Sequence, residues 1–179
     1  MVNLDNRPRV TQRGFSLLEL VVTLLIISIL MAVAYAKLEQ LAEKVERVSF
    51  EGSRNNIQAQ VTLKVAYWFA EQQQRTTEQL VKGNPIDLIQ HIPVNYAGEL
   101  TYSELWAAPG EHWYFISDKQ WLVYKVKRNI HLQNEFEQHD VLPFQLEVMF
   151  QNQHQDKGLV VSARLQPLYK FDWEVDSDD

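Results

Sequence analysis

The chain has 179 residues, a formal net charge of −6 and no cysteine. That length holds one ordinary domain plus an anchor and excludes two sizeable domains. An acidic chain with no basic stripe interleaved with aromatics excludes a nucleic-acid-binding role, and without cysteine no disulfide framework holds the fold.

The first element is the polar stretch Met1 to Gly14, in which Arg7, Arg9 and Arg13 outweigh Asp5. Next comes Phe15-Ser16-Leu17-Leu18-Glu19, set against the apolar run Leu20 to Ala36. That run has 17 residues and no charge, about the length that crosses a bilayer as a helix. Phe15 to Leu18 are mostly apolar too, so Glu19 is embedded rather than flanking. An ionisable group in such a place is costly and marks a function with a partner. Basic residues before the run and the mixed charges Lys37, Glu39, Glu43 and Lys44 after it predict a cytoplasmic N-terminus, with the bulk of the chain outside the cytoplasmic membrane. The run is longer than the core of a secretory signal peptide. Thr23 and Ser28 within it are expected to bond back to their own helix, bonding between packed helices being the alternative.

This stretch resembles the N-terminus of type IV pilins and pseudopilins. In that family a basic leader ends in Gly, a membrane-embedded prepilin peptidase cuts after it and methylates the new terminus, commonly Phe, and a Glu stands at the fifth mature position. The resemblance implies a leader over Met1 to Gly14, cleavage between Gly14 and Phe15, and N-methylation of Phe15. It also implies an assembly role for Glu19, whose carboxylate would pair with the Phe15 amine of a neighbouring subunit. The leader carries +2, so its removal takes the formal charge from −6 to −8. The competing reading is an ordinary signal anchor whose Glu19 snorkels to the headgroups. Two features depart from the family. Ala36 stands where many pilins carry Pro, which predicts a straighter helix and points to a minor pilin or pseudopilin. The disulfide that staples the C-terminal region of many major pilins is impossible here.

Helical character continues to about Arg75. Leu38, Leu41, Ala42, Val45 and Val48 recur at three- and four-residue steps, the mark of an amphipathic helix, and Glu43 to Arg47 is a favourable i,i+4 pair. Glu51-Gly52-Ser53-Arg54-Asn55-Asn56 interrupts the pattern and predicts a kink or a melted turn. Spacing resumes at Ile57, Val61, Lys64-Val65, Trp68 and Phe69. A connector follows, with a short helix expected over Ile86 to His91, opened by Asn84-Pro85 and closed by Pro93. Asn95-Tyr96-Ala97-Gly98 reads as a turn.

Strands come next. Trp113 to Ile116 and Trp121 to Val126 flank a hairpin loop, Ser117 to Gln120. Phe144, Leu146, Val148 and Phe150 alternate with Gln145, Glu147 and Met149, a strand with one buried face. Leu159, Val161, Ala163 and Leu165 alternate less cleanly. The tail Asp172 to Asp179 reads as acidic and frayed apart from Trp173, a solvated run rather than a calcium site. The five histidines show no metal-site spacing and read as solvent-exposed. Most of Trp106, Trp113, Trp121, Trp173, Tyr114, Phe115 and Tyr124 are expected in the core, with one or two facing a partner. No catalytic motif occurs, and Glu135 and Glu137 read as a solvated pair, so an enzyme is not expected and no cofactor is implied.

The expected fold class is α+β and pilin-like: a long N-terminal helix whose second half packs on a C-terminal antiparallel sheet. The expected segments are a prepilin leader over 1–14, a transmembrane half-helix over 15–37 and a periplasmic domain over 38–179. The implied function is that of a minor type IV pilin helping to initiate, cap or tune a filament. Its implied partners are other pilin subunits, the prepilin peptidase, inner-membrane pilus assembly proteins and the membrane, with no nucleic acid. The expected location is the bacterial inner membrane, single-pass, with incorporation into the pilus. Asn84 to Ile89, Pro93 to Gly98 and Trp113-Tyr114-Phe115 look like the minor pilin of mannose-sensitive haemagglutinin pili. The alternatives are a type II secretion pseudopilin and, in another class, an uncleaved single-pass periplasmic adaptor or binding module.

Overall fold

The computed structural model describes residues 15–71, 83–150 and 160–174. The chain divides into two compact units, Met1–Gln40 and Leu41–Asp179. Among the described residues the secondary structure is helix α1 (Leu17–Ala70), two 3-10 helices (Pro85–Leu88 and Glu104–Ala107) and seven strands. The strands are β1 (Tyr96–Leu100), β2 (His112–Ile116), β3 (Trp121–Lys125), β4 (Leu132–Asn134), β5 (Val141–Phe150), β6 (Val160–Pro167) and β7 (Phe171–Trp173). The expected α+β class holds, with one long N-terminal helix followed by a mostly antiparallel five-stranded sheet.

Helix α1 is continuous through Ala36 and through Gly52. The break expected over Glu51 to Asn56 does not occur. Phe50 and Ile57 on either side of that segment are buried in the core. Burying two large apolar side chains stabilises by roughly 1.5–3 kcal/mol each, more than the roughly 1 kcal/mol that Gly costs inside a helix. The expected helical residues beyond Glu71, up to Arg75, lie outside the described residues.

In the second unit one stripe of α1 meets the sheet. Phe50, Ile57, Val61, Val65 and Trp68 pack with Leu122, Tyr124, Leu142, Phe144, Leu146, Ala163 and Leu165. The sheet runs β1-β2-β3-β5-β6. The β2–β3 hairpin pairs Trp113 with Tyr124 across the ladder. β3 and β5 set Leu122 opposite Phe144, and β5 and β6 set Leu146 opposite Leu165. Phe144 and Leu146 are buried and Glu147 and Met149 exposed, as the alternation predicts. The opposite face carries a smaller core of Leu105, Tyr114, Ile116, Val123, Phe136 and Val141.

The sheet is not wholly antiparallel. β1 pairs with β2 in parallel, with a register shift between Tyr96 and Glu99. Tyr96-Ala97-Gly98, expected as a turn, is therefore strand. Gly98 sits there at φ 107, a backbone conformation open to glycine at no steric cost, and this irregularity hides the strand pattern. The short helix near Ile86 is a 3-10 turn over Pro85–Leu88, capped by Asn84, whose side chain accepts from Ile86 N at 3.0 Å. Asp172, expected in a frayed tail, lies instead in strand β7, which pairs with β4 in a two-stranded sheet. Residues 175–179 lie outside the described residues, as do Leu159 and His154.

Candidate functional site

The candidate site begins where α1 begins. Gly14 lies outside the described residues. Phe15 is 68% exposed and Glu19 stands exposed in the first helical turn. Ser16 precedes the helix, and its Oγ accepts from Glu19 N at 3.1 Å. This is a helix cap with Glu three residues on, the pattern of a capping box. The signal Ser-x-x-Glu was legible in the sequence, but the apolar surroundings of Glu19 drew attention to its charge. A carboxylate in the first turn also favours the positive end of the helix dipole. Thr23 Oγ1 donates to Glu19 O, and Ser28 Oγ donates to Leu24 O at 2.7 Å, so both hydroxyls bond back to their own helix as expected. All residues from Phe15 to Leu38 are exposed. Among the described residues, α1 is one helix long and apolar enough to cross a membrane.

Just beyond the apolar run the amphipathic pattern inverts. Leu38, Leu41, Val45 and Val48, expected as the buried stripe, are 63%, 57%, 61% and 66% exposed. Glu43 and Glu46 are 0% and 1% exposed. At about 100° per residue, Glu43 and Glu46 share the arc of Phe50, Ile57 and Val61, and the leucine–valine stripe lies opposite. Burial of charge on that arc is possible because donors from other elements converge on it.

Glu43 does not form the expected pair with Arg47. Its Oε1 accepts from His131 N at 2.9 Å and from Trp173 Nε1 at 3.1 Å, and its Oε2 lies 2.8 Å from His131 Nδ1. Arg47 pairs instead with Glu51 at 3.0 Å. Burial pushes the Glu43 carboxyl up, but the bonds from the His131 main chain and ring and from Trp173 hold it below the usual carboxylate value. Glu46 Oε1 accepts from Lys127 N at 2.7 Å, and its Oε2 accepts from Arg128 N at 3.1 Å and Arg128 Nη1 at 3.5 Å. For Glu46 burial wins, aided by the nearby charge of Glu111, and its carboxyl is raised despite those bonds. Together the two carboxylates moor residues 127–131, between β3 and β4, onto the helix. No sequence signal marks this, because polar residues at helical spacing ordinarily mark the solvated face.

His131 is thus not free in solvent as expected; His91 and His139 are exposed. Lys125 is 8% exposed and donates to Leu105 O and Trp106 O, tying the second 3-10 helix to the sheet. Gly110 is required by close approach, since a Cβ there would lie 2.8 Å from Lys127 Cα. Of the aromatics, Trp113, Tyr114, Phe115, Tyr124 and Trp173 are buried, and Trp106 is 61% exposed. Among the described residues no three His, Cys, Asp or Glu side chains gather as metal ligands.

Residues 9–35 match the family model described as the prokaryotic N-terminal methylation motif. No curated protein and no solved structure matches the chain. The motif spans Gly14, Phe15 and Glu19 and is of the type IV prepilin kind, which implies processing by a prepilin peptidase and assembly with pilin subunits. It speaks for a structural subunit rather than an enzyme, and the long apolar helix fits a membrane anchor.

Proposed function

We propose that this chain is a minor pilin, cut after Gly14, methylated at Phe15 and assembled through α1. In this reading residues 15–37 span the inner membrane, the N-terminus is cytoplasmic, and residues 38–179 form a periplasmic domain that enters the pilus at low abundance. The observation that carries the reading is a coincidence of motif and structure. The methylation motif at 9–35 falls on a helix whose residues are exposed from Phe15 to Leu38 and which holds Glu19 in its first turn. The exposed stripe Leu41, Val45 and Val48 supports it further, since it prolongs an unburied apolar surface beyond the span. The unbroken helix through Ala36 favours a minor pilin or a type II secretion pseudopilin over a major subunit. The narrower likeness to the mannose-sensitive haemagglutinin type rests only on the resemblance of Asn84 to Ile89, Pro93 to Gly98 and Trp113-Tyr114-Phe115.

Glu19→Leu and Glu19→Gln test the reading together. Either variant removes the charge that would pair with the Phe15 amine of a neighbour in a low-dielectric layer, while Gln keeps an acceptor at the third helical position. Both variants should be cut and inserted, and both should be missing from sheared pilus fractions. Normal recovery of Glu19→Leu would refute an assembly role for the charge. Recovery of Glu19→Gln alone would reduce Glu19 to a helix cap.

A further inference from the structure

An edge strand offers a row of unpaired N–H and C=O groups to any extended segment that meets it. Among the described residues the outer strands of the five-stranded sheet are β1 and β6. β1 has five residues, and its register shifts between Tyr96 and Glu99, around Gly98 at φ 107, which spoils it as a template. β6 has eight residues, is regular from Ser162 to Pro167 and carries one charge, Arg164. Main-chain groups of successive strand residues turn to opposite sides. Leu168 N donates to Pro143 O at 3.0 Å, so the even-numbered residues of β6 turn toward β5, and Ala163, Leu165 and Pro167 turn outward. Helix α1 meets those outward groups. Gln58 Oε1 accepts from Leu165 N at 2.6 Å, and Gln58 Nε2 donates to Ala163 O at 3.0 Å. The other Nε2 proton goes to Thr62 Oγ1 at 2.8 Å, one turn on, which fixes the orientation of the amide. Pro167 has no N–H to offer.

We infer that Gln58 closes the β6 edge, its side-chain amide taking the place of a strand that a second copy of this chain would otherwise add. A residue of an added parallel strand donates to the C=O before its partner residue and accepts from the N–H after it. Gln58 makes that pair of bonds around Arg164, to Ala163 O and from Leu165 N. An incoming strand would have to displace Gln58 to reach either group, and would find no donor at Pro167. The excluded segment is β6 of another copy, because two identical edges can meet about a twofold axis, each giving and receiving the same bonds. A run of eight residues with a single charge opposes such pairing only weakly. The irregular β1 needs no such cover, whereas the regular β6 does.

Hydrogen–deuterium exchange and light scattering on the full chain in detergent micelles test this together. In the parent the Leu165 amide, although it faces outward from an edge strand, should be protected to within about tenfold of the Arg164 amide that faces β5. Gln58→Met keeps the length of the side chain and loses both bonds. Its Leu165 amide should lose about tenfold in protection in dilute protein, and its chains should pair at a concentration about tenfold below that at which the parent pairs. Gln58→Lys loses the same bonds but sets a charge at the edge, a common guard of exposed strands. It should lose Leu165 protection equally and pair no more readily than the parent. A parent Leu165 amide that exchanges like an unbonded one would overturn the inference. So would Gln58→Met pairing no better than the parent, or Gln58→Lys pairing as readily as Gln58→Met. If Gln58→Met does not fold, Gln58→Ala takes its place with the same expected results.

Discussion

Glu43→Leu is the substitution that most sharply separates the structure from the amphipathic pattern. The sequence pattern places Glu43 beside Arg47 on a solvated face, where its loss would cost about 0.2–0.5 kcal/mol. The structure places it at 0% exposure with three donors on its carboxylate. Leucine fills the volume but leaves Trp173 Nε1 and the His131 donors without an acceptor. A buried donor left unsatisfied costs about 1–3 kcal/mol. The Trp173 donor bears that in full, because Trp173 is 5% exposed. The His131 side chain is 31% exposed and recovers part of its loss from water. A total of about 2–4 kcal/mol follows, which lowers Tm by about 5–15 °C for a chain of this size. Thermal unfolding of the full chain in detergent, followed by tryptophan fluorescence, measures it. A Tm unchanged from the parent would refute the buried-carboxylate account. The same group sets a pH dependence. Because the folded carboxyl is held below the ordinary value, its stabilisation is complete above the unfolded pKa and is lost as pH falls through the folded one.

Leu146→Asp places a charge at a position 3% exposed and opposite Leu165 in the sheet; it should destabilise by several kcal/mol, and a melting temperature equal to the parent's would show the strand face to be misassigned. Leu41→Ser with Val45→Ser alters two exposed side chains, so Tm should move within about 0.5 kcal/mol of equivalent stability; recovery in sheared filaments should fall, and unchanged recovery would make the stripe an ordinary exposed surface.

The legible part of the fold followed from period. The two-residue alternation of Phe144 to Phe150 gave β5 its buried face, and the Ser117 to Gln120 turn gave the β2–β3 hairpin. Val61, Val65 and Trp68 identified the helix stripe that covers the sheet. What stayed hidden depends on tertiary partners. Strand β1 is irregular at Gly98 and pairs in parallel with β2, whose partner residues lie 16 or 17 positions on, so no local pattern announces it. β7 is three residues long and derives its order from β4. Glu43 and Glu46 read as surface because nothing in a helix sequence shows that main-chain N–H groups from 127–131 will arrive to meet them. In the candidate site, the apolar run and the embedded Glu19 were plain, whereas the cap from Ser16 to Glu19 was legible and overlooked.

If the methylation motif is used, the chain is cut after Gly14 and methylated at Phe15. Intact mass of the full-length gene product, expressed in a host with an active prepilin peptidase and extracted from its membranes, tests it most directly. The predicted mass is that of a chain starting at Phe15 with one added methyl group, and Gly14→Val should leave the leader attached. A parent protein recovered with Met1 to Gly14 still in place would contradict the claim and return the chain to an uncleaved membrane anchor.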